Sequence, residues 1–348
     1  MENQFLGNQH FNISNQVVSA TCPSNIALIK YWGKYANQIP ANPSISYTLN
    51  HCNTQTSMEF FADEPFSVQT FLAGNEELKF AEKIEKYLKN IEQYLPWILK
   101  GKYIIKTENT FPHSSGIASS ASGFGAIASC LMELDKVFTN VEIDVKKTSF
   151  LARLGSGSAC RSLYNGLVVW GKTDEVEGSS DLYAVKYPDE EIHPIFKNFN
   201  DWVLLIHEGE KSVSSTVGHG LMNTNPYAER RFQEARDNFV PLKEILKTGN
   251  LDKFITLVEH EALTLHAMMM MSEPAFILMK TGTLEVINKL WNFRKETGHP
   301  LFFTLDAGAN VHLLFPENES TEAIKKFIET ELLQHTQKGG VVKDVMRF

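Results

Sequence analysis

An α+β fold is predicted for this chain, on three observations. Strand-like and helix-like segments are mixed without the regular strand–helix alternation that builds a doubly wound sheet. The long helical patterns bunch together, at about 227–247, 251–269 and 283–297. With 348 residues, 43% of them hydrophobic, the chain can bury a sizeable core without disulfides or metal staples.

Each element has its own signal. Val17 to Leu28 reads as a strand, and a second β-rich stretch covers 44–72. Residues 76–99 place Phe80, Ile84, Leu88, Ile91 and Leu95 at helical spacing behind an acidic start. Lys102 to Thr107 alternates as a strand and enters a Ser/Gly-rich turn at 112–123. A helix follows from about Ser119 to Phe138, with Ile127, Leu131 and Leu134 on its inner face. Asn165–Val169 and Trp202–His207 read as strands, then come the three helical patterns. Leu301–Leu305 is a strand that ends in a DAG turn, and Val311–Phe315 is expected beside it. Pro188, Asp189, Glu190, Glu191 and Pro194 cluster where a domain boundary would fall. The expected organisation is an N-terminal arm (1–16), an N-terminal domain (17–195) and a C-terminal domain (196–348).

The net charge of −8 argues against general binding to nucleic acid or anionic membranes, while leaving room for a local basic pocket. Cys22, Cys52, Cys130 and Cys160 form no CxxC pair, so reduced thiols in the cytoplasm are expected in place of a zinc site. The first sixteen residues lack the basic start and apolar run of a secretory signal, and no stretch approaches the ~20 apolar residues of a membrane span.

Four segments carry chemistry. Pro112-His-Ser-Ser-Gly-Ile-Ala-Ser-Ser-Ala-Ser-Gly123 puts small residues at the start of a helix, where unpaired N–H groups and the helix dipole favour a phosphate. Ser119, Ser120 and Ser122 can add hydroxyl donors, although a Ser-rich helix cap explains an isolated turn equally well. No GxxxxGK[ST] loop or HRD/DFG set accompanies it. Asn25-Ile-Ala-Leu-Ile-Lys-Tyr-Trp-Gly-Lys34 can wall an anion pocket; alone it reads better as a strand end with snorkelling lysines. Gly155-Ser-Gly-Ser-Ala-Cys-Arg161-Ser162 offers backbone donors and a guanidinium to a carboxylate or phosphate, or simply caps a helix. In Thr304-Leu-Asp-Ala-Gly-Ala-Asn310, Asp306 is placed to orient or deprotonate a hydroxyl, though a turn-forming Asp is the commoner role. His266 and Met268–Met271 read as core packing.

Together these segments resemble, in order and in detail, the diphosphomevalonate decarboxylase family of the GHMP kinase superfamily. That family carries NIAxxKYWGK, matched at Asn25–Lys34; a PxxxGLASSA phosphate loop, matched at Pro112–Ala121 with Ile117 for Leu; GSGSACRSL, unbroken at 155–163; and TFDAGPN, matched at Thr304–Asn310. A K-x-x-x-ST-x-G segment matches Lys211–Gly218, and the resemblance spans about residues 17–315. Departures include NPSIS at 42–46 for NSSxS, His113-Ser114-Ser115 for Thr-Ala-Ala, the 262–267 segment for SNxFHA, and Ala309 for proline.

The resemblance implies a GHMP-kinase-like two-lobed fold, with one cleft between a phosphate-loop half and a helical half. It implies ATP- and magnesium-dependent conversion of mevalonate 5-diphosphate to isopentenyl diphosphate. Residue by residue, it implies that Asp306 faces the substrate hydroxyl, that Lys30 keeps Asp306 ionised, and that Arg161 grips the C1 carboxylate. Ser120 would contact the transferring phosphoryl, with Asn25 alongside. Tyr31, Lys34, Ser156, Gly157 and Ser158 would surround the diphosphate. Pro112, Ser114, Ser115, Gly116, Ala118, Ser119, Ser120 and Ser122 would wrap the ATP phosphates. Homodimers are common in the family. The alternatives are a mevalonate 3-kinase or monophosphate decarboxylase of the same superfamily, and a regulator that binds nucleotide or metabolite without catalysis.

Overall fold

The computed structural model describes residues 2–112, 117–207, 209, 213–346 and 348. Strand β1 (Gln16–Ile29) and strand β2 (Ser44–Phe61) pair antiparallel from Gln16 opposite Phe60 to Ile29 opposite Ile45. The first six residues of β2 are all buried, and from Cys52 onward burial nearly alternates. Such a strand is covered on both faces at one end and on one face at the other.

Strands β3 (Ser67–Leu72) and β4 (Asn75–Glu76) lead through helix α1 (Leu78–Asn90) to β5 (Lys102–Asn109). β5 runs parallel to β3 and antiparallel to β2, so β3, α1 and β5 form a strand–helix–strand crossover. Helices α2 (Ser119–Thr139) and α3 (Val145–Gly155) follow, then strands β6 (Leu167–Trp170) and β7 (Val185–Lys186) at the far edge. In α2, Gly125, Ala126 and Ala128 are buried, and small side chains let a helix lie close on a sheet.

The second sheet has the order β11-β8-β10-β9, built from β8 (Phe199–Leu204), β9 (Phe302–Leu305), β10 (Val311–Pro316) and β11 (Val341–Val345). Between β8 and β9 run α4 (Ser215–Leu221), α5 (Ala228–Asp237), α6 (Phe239–Thr248), α7 (Leu251–Met270) and α8 (Thr281–Thr297); α9 (Thr321–Phe327) follows β10. The result is the α+β, two-lobed arrangement expected from the sequence.

Several boundaries moved. The helix expected over 76–99 stops at Asn90, and Trp97 instead fills the core beneath α2, its Nε1–H donating to Asp135 at 2.8 Å. The pattern at 227–247 is broken at Asn238, whose side chain donates to the buried Glu261. The strand expected at Trp202–His207 lies at Phe199–Leu204. Met268 and Met269 pack in the core as expected, but Met270 and Met271 are exposed. In the N-terminal arm, Phe5 is buried and stacks on Phe150 at 4.5 Å.

The lobes do not have separate cores. Ile26, Ile45 and Tyr47 of the first sheet share one apolar cluster with Phe199, Val203 and Leu314 of the second. Buried Asp344 on β11 accepts backbone N–H groups of Asn50, His51 and Cys52. Asp201 on β8 bonds both Tyr47 and His312. Buried carboxylates need such partners; here Tyr47 and residues 50–52 supply them from the first sheet, and His312 from the neighbouring strand of the second. Among the described residues no helix is long and apolar enough to cross a membrane.

Candidate active site

A cleft of about 680 Å³ opens where β1, α2, the 157–163 turn and the β9–β10 turn meet. It collects residues far apart in sequence, Asn25 and Lys30 from β1 and its end against Asp306 after β9.

β1 runs straight into this site because its last residues are buried strand: Ile26, Leu28 and Ile29 pack in the shared core. That fixes Lys30, 2% exposed, whose Nζ donates to the Ala27 carbonyl at 2.6 Å. Its backbone N–H donates to Glu261 at 2.9 Å, and Glu261 is paired with buried Arg231. Burial lowers the Lys30 ammonium from 10.5 to about 8; Asp306 and Glu261 pull it back up, while Arg161 lowers it further. Lys30 is therefore a cation held near Asp306 with little charge to spare.

Asp306 is held by its main chain. Its carbonyl accepts from the His266 Nε2–H at 3.1 Å and from Gly308 N–H at 2.8 Å. Arg161 is buried; its Nε donates to Asn25 Oδ1 at 3.2 Å and its Nη1 to Ser44 Oγ. Among the described residues Nη2 has no partner, and it is not sealed from solvent, so that edge is presented to the cleft Arg161 lines. Asn25 in turn donates to the Ser158 carbonyl at 3.3 Å and to Ser162 Oγ at 2.8 Å. One face of Tyr31 meets Trp170, and its hydroxyl is buried without a partner. Gly157 must be glycine here, since a Cβ would lie 2.7 Å from both the Trp170 ring and the Tyr31 hydroxyl.

On the opposite wall, Ala118 caps α2 at φ +40°, a strained conformation for alanine of the kind that gathers at functional sites. It turns Ser119 and Ser120 into the cleft, and Ser120 Oγ lies 3.5 Å from Ser156 Oγ. The anion-binding helix start and the GSGS turn thus face one another.

With this geometry in hand, the relatives are informative. A family model described as the diphosphomevalonate decarboxylase-like N-terminal domain matches residues 22–184, and one described as the mevalonate 5-diphosphate decarboxylase C-terminal domain matches 202–345. The chain belongs to the diphosphomevalonate decarboxylase family. The diphosphomevalonate decarboxylase of Saccharomyces cerevisiae is 32% identical to it over 323 residues, 87% of this chain and 78% of that protein. A solved structure described as MDDEF in complex with MVAPP, AMPPCP and magnesium matches with a TM-score of 0.81 at 28% identity, covering 96% of this chain and 98% of that one. The mevalonate diphosphate decarboxylase of Staphylococcus aureus also matches with a TM-score of 0.81 at 28% identity, over 96% of each chain.

Not every residue expected from the family pattern lines the cleft. Ser122 is buried away from it, accepting from Thr54 at 2.6 Å and donating to the Ser119 carbonyl at 3.3 Å, so its hydroxyl braces α2 against β2. Pro112 is exposed and outside the lining. Ser114, Ser115, Gly116 and Lys211 lie outside the described residues. Conversely, α1 contributes Lys83, Lys86 and Asn90, which the family pattern did not single out. Burial lowers the ammonium of Lys83, and that of Lys34 as well, whose Nζ donates to Gln38 at 2.8 Å. The signal for α1 was present as a polar stripe at 79, 83, 86 and 90, beside its apolar stripe. His219 carried no such signal, while Ser44 and His266 fall in the 42–46 and 262–267 segments already compared with the family pattern.

Proposed function

We propose that this family member converts mevalonate 5-diphosphate and ATP to isopentenyl diphosphate, ADP, phosphate and carbon dioxide. The observation that carries the reading is the meeting of Lys30, Asp306 and Arg161 in one cleft with the N-terminus of α2. Phosphoryl transfer asks mainly for alignment and charge stabilisation, which preorganised donors in a water-poor site supply.

In this reading Asp306 orients the 3-hydroxyl and takes its proton as the oxygen attacks the γ-phosphorus of ATP, releasing ADP. Lys30 favours the ionised form of Asp306 and offsets phosphoryl charge. The C3–O bond then breaks with loss of phosphate, and the C1–C2 electron pair becomes the C2–C3 double bond as carbon dioxide leaves. The cleft edge of Arg161 holds the C1 carboxylate until that step. Asn25 keeps the guanidinium plane in register and stands beside the reacting end. Ser120 contacts the phosphoryl in flight, while Ala118 and Ser119 line the ATP phosphates. Tyr31, Lys34, Ser156, Gly157 and Ser158 surround the diphosphate. Magnesium would bridge nucleotide phosphates and relieve their charge. The oxygens of Ser119, Ser120 and Asp306 suit such a hard cation, which commonly takes only one or two protein ligands beside phosphates.

The same reading divides the chain near residue 195 into lobes of 17–195 and 196–348, and makes it a homodimer of the cytoplasm. The four cysteines are buried and none is in a disulfide, as suits a reducing compartment. The test is incubation with ATP, magnesium and mevalonate bearing no, one or two phosphates, following ADP, phosphate and carbon dioxide. Release of all three with the diphosphate alone is expected. ADP without carbon dioxide would mark a 3-kinase, and full turnover of the monophosphate would move the substrate assignment.

A further inference from the structure

One buried side chain in the cleft has no task in the reaction just described. His219, on α4, is 7% exposed, with ring centroids 4.3 Å from Tyr31 and 4.5 Å from Trp32. Its Nδ1 accepts the backbone N–H of Gly33 at 3.0 Å. That bond selects a tautomer: Nδ1 must offer a lone pair, so the neutral ring carries its hydrogen on Nε2. A proton on both nitrogens would set two N–H groups head to head. The supporting turn is rigid, since Gly33 sits at φ +105° with the Phe232 ring 2.5 Å from where a Cβ would stand. Burial and the charge of Lys34 push the imidazole down to about 3 against the pull of Asp306, in keeping with a neutral ring.

Nε2 remains. Among the described residues nothing accepts from it, and unlike the neighbouring Tyr31 hydroxyl and Trp32 indole nitrogen it is not sealed from solvent. The ring lines the cleft within the fields of both Lys34 and Asp306. We infer that His219 is a substrate-binding, specificity-determining residue whose Nε2–H donates a hydrogen bond to a phosphate oxygen of the substrate's diphosphate arm. A neutral donor suits this place. It adds a directional bond beside Lys34 without another charge in a site that already holds Lys30, Lys34 and Lys83.

The inference rests on the substrate reading above, and the experiment keeps the two apart. In His219→Asn the amide oxygen stands where Nδ1 stood and can still accept from Gly33, but nothing reaches the Nε2 position. In His219→Gln the amide nitrogen reaches that position as a donor, and the Gly33 bond is lost. Dissociation constants for mevalonate 5-diphosphate are measured without nucleotide, with melting temperature and KM for ATP as controls. His219→Asn is expected to bind about tenfold more weakly, the lower end for a hydrogen bond to a charged oxygen, with both controls near the parent. His219→Gln is expected to recover most of the loss. Parent-like binding by His219→Asn overturns the inference, as does the reverse order, in which Asn binds better than Gln and the losses follow melting temperature. If the parent neither turns over nor binds mevalonate 5-diphosphate, the substrate reading fails by itself. The variant-to-parent ratio is then measured with inorganic pyrophosphate and still decides the role of His219.

Discussion

Replacing Lys30 with methionine is expected to make the protein more stable and catalytically dead. Lys30 is 2% exposed, and burial lowers its ammonium from 10.5 to about 8 despite the pull of Asp306 and Glu261. At ~1.4 kcal/mol for each tenfold change in a proton equilibrium, the folded state disfavours the charged form by about 3 kcal/mol. Methionine has a similar reach and no charge, but it leaves the Ala27 carbonyl without its donor, a loss of about 1 kcal/mol. The net expectation is a gain of roughly 2 kcal/mol at pH 7. The sign with pH follows from linkage. Between about 8 and 10.5 the unfolded chain holds the Lys30 proton that the folded chain has released, so stability attributable to Lys30 rises with pH across that window. Activity runs the other way, falling above about pH 8 as the ammonium is lost. Urea unfolding of parent and Lys30→Met at pH 7 and 9.5, with turnover between pH 7 and 10, tests both halves. The stability advantage of the variant should shrink at the higher pH. A variant less stable than the parent at pH 7, or an advantage that grows with pH, would refute the reasoning.

The other expectations concern its neighbours. Asp306→Asn should still bind ATP and mevalonate 5-diphosphate, yet lose ADP and carbon dioxide release together by about 10²–10⁴ in single-turnover assays, since Asn cannot take the proton; Asn suits the turn, so a mere turn-former would leave near-parent rates. Arg161→Lys keeps the charge but not the planar fork that bonds Asn25 and Ser44 together. It should reduce kcat/KM severely, and parent-like kinetics would remove Arg161 from substrate binding. Glu261→Gln leaves the guanidinium of Arg231 buried without a counter-charge, which typically costs about 3–5 kcal/mol. Denaturant unfolding should show that loss, accompanied by lower turnover because the Lys30 backbone N–H is bonded to the same carboxylate.

Much of the site was legible because it sits where local rules and chemistry agree. β1 announces itself by composition and ends in the NIALIKYWGK run, so Lys30 falls at a strand end, and Asp306 likewise follows a short apolar strand. What was not legible depends on how the lobes meet. Lys83 and Lys86 lie at the edge of the α1 apolar stripe, and only the packing of α1 beside α2 decides that this edge borders the cleft. Ser122 shows the converse. Three serines in one helical turn all read as phosphate donors, but Thr54 on β2 claims the third. The helical pattern over 227–247, by contrast, is nearly continuous: Asn238 keeps helical angles, its N–H bonds the Glu234 carbonyl, and the Leu242 N–H bonds the Asn238 carbonyl. The break comes from Pro241, which has no N–H to close that turn, a signal the sequence did carry.

These details bear on why an acidic chain should bind an anionic substrate. The protein carries −8 overall, yet among the described residues the charged side chains lining its cleft are Lys30, Lys34, Lys83, Lys86 and Arg161 against the one carboxylate of Asp306. Burial lowers the proton affinity of Lys30, Lys34, Lys83 and Arg161 alike, so the cleft resists its own charges. An arrangement that only stabilised the fold would have paired these groups, as Glu261 pairs Arg231 nearby. Leaving them short of partners costs folding free energy and leaves a pocket that a ligand bearing both a carboxylate and a diphosphate can satisfy. The substrate then supplies the missing counter-charges, and Lys30 and Arg161 already stand in place because Glu261, Asn25 and Ser44 hold them before it arrives.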